Sequence, residues 1–149
     1  MTIATWLLGS RSFATLDKIK EAVQTTRGFE PDKEDIAAAK ALLIFSTSKQ
    51  QTWLVATRKR LYVVLDDLQS EQPVVWWQLD IEITEEGIPV LRTKDKNIVE
   101  IRAKEDPTGN REIGIIDIGT PTPWFYSKTL CAPTPIEDSI KQLILEAAK

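Results

Sequence analysis

The sequence predicts an α+β protein that is mainly β, with two N-terminal helices, about seven antiparallel strands and a C-terminal helix. Three observations carry this prediction. Two helical patterns precede residue 42, seven runs rich in β-branched and aromatic residues follow, and an amphipathic segment ends the chain. With 149 residues, of which 42% are apolar and 28% charged, the chain is expected to form one domain with a sizeable core.

The first two elements have the features of short helices. In "TLDKIKEAVQTTRG", Thr15 occupies an N-cap position, apolar residues recur at helical spacing, and Gly28 stands where a helix C-terminus favours glycine. In "PDKEDIAAAKALL", Pro31 suits a first turn, acidic residues come early, and alanines supply helix propensity. The apolar period becomes strand-like at Leu42.

Seven strand-like runs follow, separated by polar turns. They are "LLIFSTS", "TWLVAT", "RLYVVLD", "PVVWWQLDIEIT", "GIPVLRT", "NIVEIRA" and "REIGIIDIG", with an eighth candidate in "WFYSK". In the fourth run Val75 and Trp77 share one face and Trp76 and Gln78 the other, which is the alternation of a half-buried strand. The second and third runs are apolar on both faces, so both faces must be covered. We expect the interior of a barrel to cover one and the N-terminal helices to cover the other.

A well-marked helix ends the chain. Thr134, Pro135 and Glu137 supply the N-cap, N1 and N3 residues of a capping box. The apolar stripe that follows consists of Ile136, Ile140, Leu143, Ile144 and Ala147. Antiparallel strands followed by such a helix predict a small barrel or sandwich whose end the helix closes.

The stretch "LLIFSTSKQQTWLVATRKRLYVVLDD" carries a family resemblance. A strand that ends in Thr57, two turn residues, and then Arg60 with an aliphatic and an aromatic residue is similar to the first strands of the pleckstrin-homology-like (PH-like) superfamily, in particular its GRAM and bacterial PH branches. The resemblance covers residues 31–149 and implies a PH-like antiparallel barrel with a C-terminal capping helix. Residues 1–30 are expected to form a helical extension packed on that barrel.

The resemblance also implies where an inositol phosphate would bind. Family members that bind one use basic residues in the loops after the first, third and sixth strands. The corresponding segments of this chain, "SKQQ", "DDLQSEQ" and "KEDPTGNR", contain five acidic and three basic residues, so phosphates would meet net repulsion. We therefore expect no inositide at that place, and no cofactor.

The basic triplet that begins with Arg58 and Lys59 has two interpretations. As the tip of a hairpin it needs only solvent, with Thr57 bonding to the local backbone, and this interpretation is favoured. As a binding site it would attract anionic lipid together with Trp76 or the N-terminal Trp6, at roughly 1 kcal/mol for each basic residue near the membrane. Glu85–Glu86 are expected near the same end of the barrel and would reduce that attraction. Any membrane binding is therefore expected to be weak.

Catalytic, metal and nucleic-acid chemistry find little support in the sequence. The chain has no histidine, the commonest general base and zinc ligand, and Cys131 alone cannot form a Cys–His pair. The acid pairs Asp66–Asp67 and Glu85–Glu86 are expected in solvated turns. Asp117, among isoleucines, is a carboxylate whose burial would support an enzymatic barrel, but a strand-end carboxylate that faces water is the favoured interpretation. Scattered tryptophans and a net charge of −3 do not favour nucleic-acid binding. We expect neither an enzyme nor a metal site.

These features predict a non-catalytic interaction module that binds or scaffolds a protein partner. The nominated surface is the outer face of the fourth strand, where Trp76 beside Gln78 would anchor the partner; in the competing interpretation the N-terminal helices bury Trp76. The first alternative is weak binding to anionic membranes through Arg58 and Lys59, and the second is a small-molecule-binding or enzymatic barrel. No apolar run is long enough for a bilayer or resembles a signal peptide, so we expect a cytoplasmic protein.

Overall fold

A single antiparallel sheet forms the body of the protein, and each strand pairs with the next one along the chain. The computed structural model describes residues 12–26, 28, 31–105, 111–117, 120–127 and 136–149. Its helices are α1 (Leu16–Thr25), α2 (Lys33–Ala37) and α3 (Ile136–Ala147). Its strands are β1 (Lys40–Ser46), β2 (Gln50–Ala56), β3 (Arg60–Asp67), β4 (Val74–Ile83), β5 (Pro89–Arg92), β6 (Ile98–Glu105), β7 (Arg111–Asp117) and β8 (Thr120–Ser127).

The predicted α+β class, mainly β and antiparallel, is confirmed. The described part of the chain has eight strands rather than about seven, because residues 120–127 form the candidate eighth strand. β1 and β8 are the two edges of the sheet, so the described strands do not close into the expected barrel. Pro121 and Pro123 of β8 have no N–H group to donate to a sheet, and proline is typical of edge strands.

The C-terminal helix α3 lies against one face of the sheet. It contacts β1 and β2 as well as β5 and β6, strands that are well separated in the sheet order, so the sheet curves around the helix. The predicted apolar stripe is buried against the sheet at Ile140, Leu143 and Ile144. The predicted capping residues Thr134 and Pro135 lie outside the described residues. Among the helices that the structure describes, none is long and apolar enough to cross a membrane.

Both faces of β2 and β3 are covered, as their sequence pattern predicts. Leu54 and Leu61 are fully buried on the side of α3, and Val55 and Tyr62 are fully buried on the other side. The N-terminal segment covers that second side with Ile19, Val23, Ile36 and Ala39. Burying one such large aliphatic side chain contributes about 1.5–3 kcal/mol, so this layer holds the helices on the sheet. α1 packs against β3 and β4. Residues 1–11 of the predicted N-terminal extension lie outside the described residues.

A β-bulge in β4 changes the face on which the start of that strand lies. Val75 pairs with Val64 and Trp77 pairs with Val63, so Trp76 is an extra residue between two ladder positions. Val75 therefore lies in the layer under α1 and α2, whereas Trp77 packs on the side of α3. The prediction that Val75 and Trp77 share a face is wrong, because a strict period of two does not hold through a bulge.

The first predicted helix is confirmed, and the second is shorter than its sequence pattern. At the start of α1 the Thr15 hydroxyl accepts a hydrogen bond from the Lys18 N–H. α2 ends at Ala37, and Lys40 already pairs with Ala56 in the sheet. Sheet pairing thus overrides the helix propensity of the alanines that follow α2.

Threonine opens four of the hairpin turns, and all four use the same pair of hydrogen bonds. The threonine N–H donates to the carbonyl of the residue that closes the turn, and the threonine hydroxyl accepts from the N–H of that residue. At the β2–β3 tip the distances to Arg60 are 2.8 and 3.0 Å, which confirms the local bonding predicted for Thr57. The four turns begin at Thr47, Thr57, Thr84 and Thr93.

The two longer threonine turns each contain a residue in the left-handed region of backbone conformation. Gly87 takes it in the β4–β5 turn with φ of 80°, and Lys96 takes it at the equivalent place in the β5–β6 turn with φ of 70°. This arrangement is typical of three-residue hairpin loops. A residue with a Cβ atom loses about 1–2 kcal/mol in this conformation, whereas glycine does not.

We expect Lys96→Gly to stabilise the protein by about 1 kcal/mol, because glycine adopts the left-handed conformation without steric cost. Losing the exposed ion pair of Lys96 with Asp80 offsets little of this gain. Urea unfolding followed by tryptophan fluorescence measures the change. Lys94→Gly is the matched control, because Lys94 lies in the same turn but outside the left-handed region. An equal gain in both variants would contradict the backbone explanation.

Candidate functional site

The basic tip of the β2–β3 hairpin faces the acidic residues of α2. Arg58 donates two hydrogen bonds to Asp35 Oδ1, from Nε at 3.2 Å and from Nη2 at 2.8 Å. Lys59 Nζ lies 3.7 Å from Asp32 Oδ2 and 3.9 Å from Asp35 Oδ2. The Lys59 carbonyl accepts a hydrogen bond from the Ile81 N–H of β4 at 2.8 Å. The tip is therefore held between α2 and β4.

Asp35 is the buried partner in this cluster. Ile36 of α2 packs into the layer above the sheet, and Asp35 beside it is only 5% exposed, whereas the Arg58 side chain is 57% exposed. A buried carboxylate needs charge-assisted hydrogen bonds to offset its lost hydration, and Arg58 supplies two. The hydrogen bond to Asp35 also raises the pKa of the Arg58 guanidinium above its ordinary value.

A second set of ion pairs crosses the outer face of β3–β5, which is the face that carries α1 and α2. Asp80 Oδ1 lies 3.4 Å from Arg60 Nε, and Asp80 Oδ2 lies 3.4 Å from Lys96 Nζ. Arg92 Nε is 2.9 Å from Glu82 Oε2. Each of these three cations thus has a carboxylate within 4 Å, as have the two at the tip. Fields of paired charges cancel at a distance, so the face does not act as one basic patch.

Asp66 anchors the residues in front of α1. It is fully buried, and its Oδ2 accepts a hydrogen bond from the Ala14 N–H at 2.7 Å. Asp66 and Asp67 are the last residues of β3, so the prediction that this acid pair lies in a solvated turn is wrong. The strand continues through both acids because it still pairs with β2, where Asp66 faces Gln51. Glu85–Glu86, the other predicted turn pair, are exposed between β4 and β5.

Tyr62 and Gln78 place two unpaired polar atoms beside the tip. The two residues lie opposite each other in the β3–β4 ladder. Within the described part of the chain, the buried Tyr62 hydroxyl and the buried Gln78 Oε1 have no hydrogen-bond partner. Burial raises the pKa of the Tyr62 phenol above its ordinary value. Nearby Arg60 opposes that increase, although its guanidinium is not in hydrogen-bonding geometry with the hydroxyl.

A cavity of about 220 Å³ opens beside the same residues. One wall belongs to the segment around α2 and consists of Pro31, Asp32 and Asp35. The other wall belongs to the hairpin and consists of Thr57, Lys59, Arg60 and Tyr62. Two larger cavities, of about 340 and 390 Å³, lie beside α1 and beside the end of α3. Neither is lined by Tyr62, so the smaller cavity is the better candidate for a site.

The outer face of β5 and β6 carries exposed aliphatic side chains, which we call the aliphatic stripe (Ile88, Val90 and Ile98). Ile88 is 50% exposed, Ile98 is 56% exposed, and Val90 is half-buried. Ile98 pairs with Arg92 and is therefore diagonal to Val90 on the same face. α1 packs on β3 and β4 of this face, so the stripe lies on the part of the face formed by β5 and β6.

Three of the four predicted binding residues come together on the outer face. Arg58 and Lys59 form the hairpin tip. Gln78 lies in β4, two residues before Asp80, which pairs with Arg60. Trp76 belongs to β4, but its side chain lies outside the described residues, so its exposure stays a prediction.

The residues that complete the cluster were not predicted from the sequence. Neither Asp35 nor Tyr62 belongs to a recognisable sequence motif. The one available signal was that Tyr62, a residue with a polar hydroxyl, lies on a strand predicted to be buried on both faces. Cys131 and the side chain of Asp117 lie outside the described residues. The described residues contain no group of three or more acidic or cysteine side chains that could hold a metal ion.

Comparisons with known proteins do not extend this description. No family model, no curated protein and no solved structure matches the chain. The resemblance to the PH-like superfamily therefore rests on the sequence of the first three strands and stays a prediction.

We expect Arg58→Met to destabilise the protein more than Lys59→Met does. Arg58 donates two hydrogen bonds to the buried Asp35, whereas Lys59 contributes ion pairs at 3.7 and 3.9 Å. Both side chains are mostly exposed, and methionine keeps their apolar stems, so the two variants are matched. Midpoints of urea unfolding compare them. In an Asp35→Asn background most of the Arg58 effect should disappear, and an undiminished effect would show that Arg58 acts otherwise.

We expect Tyr62 to make the protein sensitive to alkaline pH. Its folded-state pKa lies above the unfolded value, so the unfolded chain loses the phenol proton first, and stability falls as the pH rises above about 10. At lower pH this contribution is fully present. Tyr62→Phe should remove this part of the alkaline loss, which urea unfolding at about pH 8 and about pH 10.5 measures. Identical losses in parent and variant would contradict the assignment.

Proposed function

We propose that this protein is a non-catalytic interaction module with a PH-like arrangement of sheet and C-terminal helix, and that it binds a protein partner on the outer face of β4–β6. The curved antiparallel sheet with α3 against one face supports the PH-like assignment. Residues 31–149 would form the module and residues 1–30 its docked extension. The single cysteine of the chain suits a reducing cytoplasm as the compartment.

The aliphatic stripe is the observation that carries this proposal. Ile88 and Ile98 are about half exposed and lie on the sheet face that also carries α1 and α2. Ion pairs formed by Glu82 with Arg92 and by Asp80 with Lys96 border the stripe. An apolar centre with a polar rim is the usual anatomy of a protein interface. The partner is therefore expected to present an apolar surface bordered by polar groups.

The paired charges of the tip favour a protein partner over an anionic membrane. The attraction of roughly 1 kcal/mol per basic residue assumes a cation that is free to face the lipid. Arg58 and Lys59 are instead held by Asp32 and Asp35, so their charge is largely compensated before a membrane approaches. Weak lipid binding would require α2 to release the tip.

The buried carboxylates likewise favour a structural use over an enzymatic one. Asp35 accepts hydrogen bonds from Arg58, and Asp66 accepts one from the Ala14 N–H. Each therefore ties the N-terminal segment to the sheet. These contacts account for the burial of both carboxylates without a catalytic role.

Photo-crosslinking tests the partner surface. A photoreactive amino acid replaces Ile98 in one sample and Leu16 in the control, since Leu16 is an exposed aliphatic residue of α1 with a similar exposure of 45%. We expect a discrete adduct with one protein from position 98 and none from position 16. The captured protein, once purified, should bind the parent in calorimetry and bind Ile98→Asp at least about tenfold more weakly, the effect of losing one interface anchor.

Two results would contradict the proposal. The first is equal crosslinking from positions 98 and 16, which would indicate non-specific contact. The second is unchanged affinity of the captured protein for Ile98→Asp and Ile88→Asp, provided that both variants keep the unfolding midpoint of the parent.

A further inference from the structure

The cavity between α2 and the β2–β3 tip contains an unsatisfied polar group. Tyr62 lines it and is fully buried, and among the described residues its hydroxyl has no hydrogen-bond partner. Tyr62 shares the cavity lining with the charged residues Arg60 and Asp35. Gln78, which pairs with Tyr62 in the β3–β4 ladder but does not line the cavity, has a second atom without a partner among the described residues, its buried Oε1. Buried polar groups are nearly always paired, so a polar molecule is expected there.

The two walls of the cavity carry opposite charges. Asp32 and Asp35 stand on the wall of α2, and Lys59 and Arg60 stand on the hairpin wall. Two carboxylates facing two cations leave no net charge, so neither a simple anion nor a simple cation is favoured. A molecule that carries one charge of each sign meets an opposite charge on both walls.

The existing ion pairs across the cavity are loose. Lys59 Nζ lies 3.7 and 3.9 Å from its two carboxylates, beyond the distance of a good N–H···O hydrogen bond. Asp35 Oδ1 takes both hydrogen bonds from Arg58, which leaves Oδ2 available to a ligand. A bridging ligand would therefore replace long contacts by short ones without breaking the bonds that hold α2.

We propose that this cavity binds a small zwitterion, a molecule of amino-acid size with one ammonium and one carboxylate group. The ammonium donates to Asp35 Oδ2 and to Asp32, and the carboxylate accepts from Lys59 and from the Tyr62 hydroxyl. The volume of about 220 Å³ admits a short amino acid. This site is separate from the aliphatic stripe, so either the site or the proposed partner surface can fail without the other.

Two-dimensional amide NMR of the full chain tests the site with glycine and 4-aminobutyrate as probes. We expect saturable shifts at the amides of Thr57, Lys59 and Tyr62, with a dissociation constant of about 1–10 mM for a ligand held by few contacts. Acetate and ethylammonium, which each carry one of the two charges, are the matched controls. They should produce shifts at least about tenfold weaker at equal concentration, because each meets repulsion from one wall.

Variants decide between a ligand site and enclosed water. Tyr62→Phe should weaken binding of the better probe by about three- to tenfold, the contribution of one hydrogen bond. Lys59→Met tests the same site at an exposed position that does not disturb the core, and Lys94→Met is its control, because Lys94 lies in the β5–β6 turn and does not line the cavity. The proposal is supported if Lys59→Met loses binding and Lys94→Met keeps it. Absence of saturable shifts, equal shifts from acetate, or equal binding by both lysine variants would overturn it, leaving water as the occupant.

Discussion

The two-sided apolar character of β2 and β3 is the constraint on which the rest of this structure depends. Each strand buries large side chains on both faces, so a sheet with one helix on one side would leave half of this surface in water. α3 covers the first side, and the segment before β1 must cover the second. The polar contacts of that segment, Ala14 with Asp66 and Asp35 with Arg58, then fix its position. Apolar burial supplies the driving force, and these hydrogen bonds supply the orientation.

Docking of α2 changes what the basic tip can do. In the linear sequence, three consecutive basic residues resemble a binding site for an anion. In the folded protein Asp35 is buried against Arg58, and Asp80 faces Arg60, so the positive charge is compensated by residues far away in sequence. Where α2 stops short of covering the sheet, a cavity with walls of opposite charge remains. The distribution of charge at this end of the molecule thus depends on α2 as well as on the hairpin tip.

Local patterns predicted the fold well, and long-range contacts account for what they missed. The N-cap at Thr15, the double-sided burial of β2 and β3 and the helix at the end follow from spacing within short windows. The bulge at Trp76 could not be predicted, because it depends on how β3 pairs and leaves no mark in composition. The burial of Asp66 depends on Ala14, 52 positions away. The site was only half predicted for the same reason: Lys59 and Gln78 were nominated, whereas Asp35 and Tyr62 acquire a role only once α2 docks.

The order of the elements along the chain has a consequence for how the protein folds. Neighbouring strands are neighbours in sequence, and the threonine turns close within four or five residues, so the meander can assemble hairpin by hairpin with little loop entropy. α1 and α2 come first during synthesis, yet the surface that they cover is complete only after β4. Their apolar residues Ile19, Val23 and Ile36 stay uncovered during that interval. A nascent chain would thus be most prone to aggregation, and most in need of a chaperone, before residue 83 is available to the sheet.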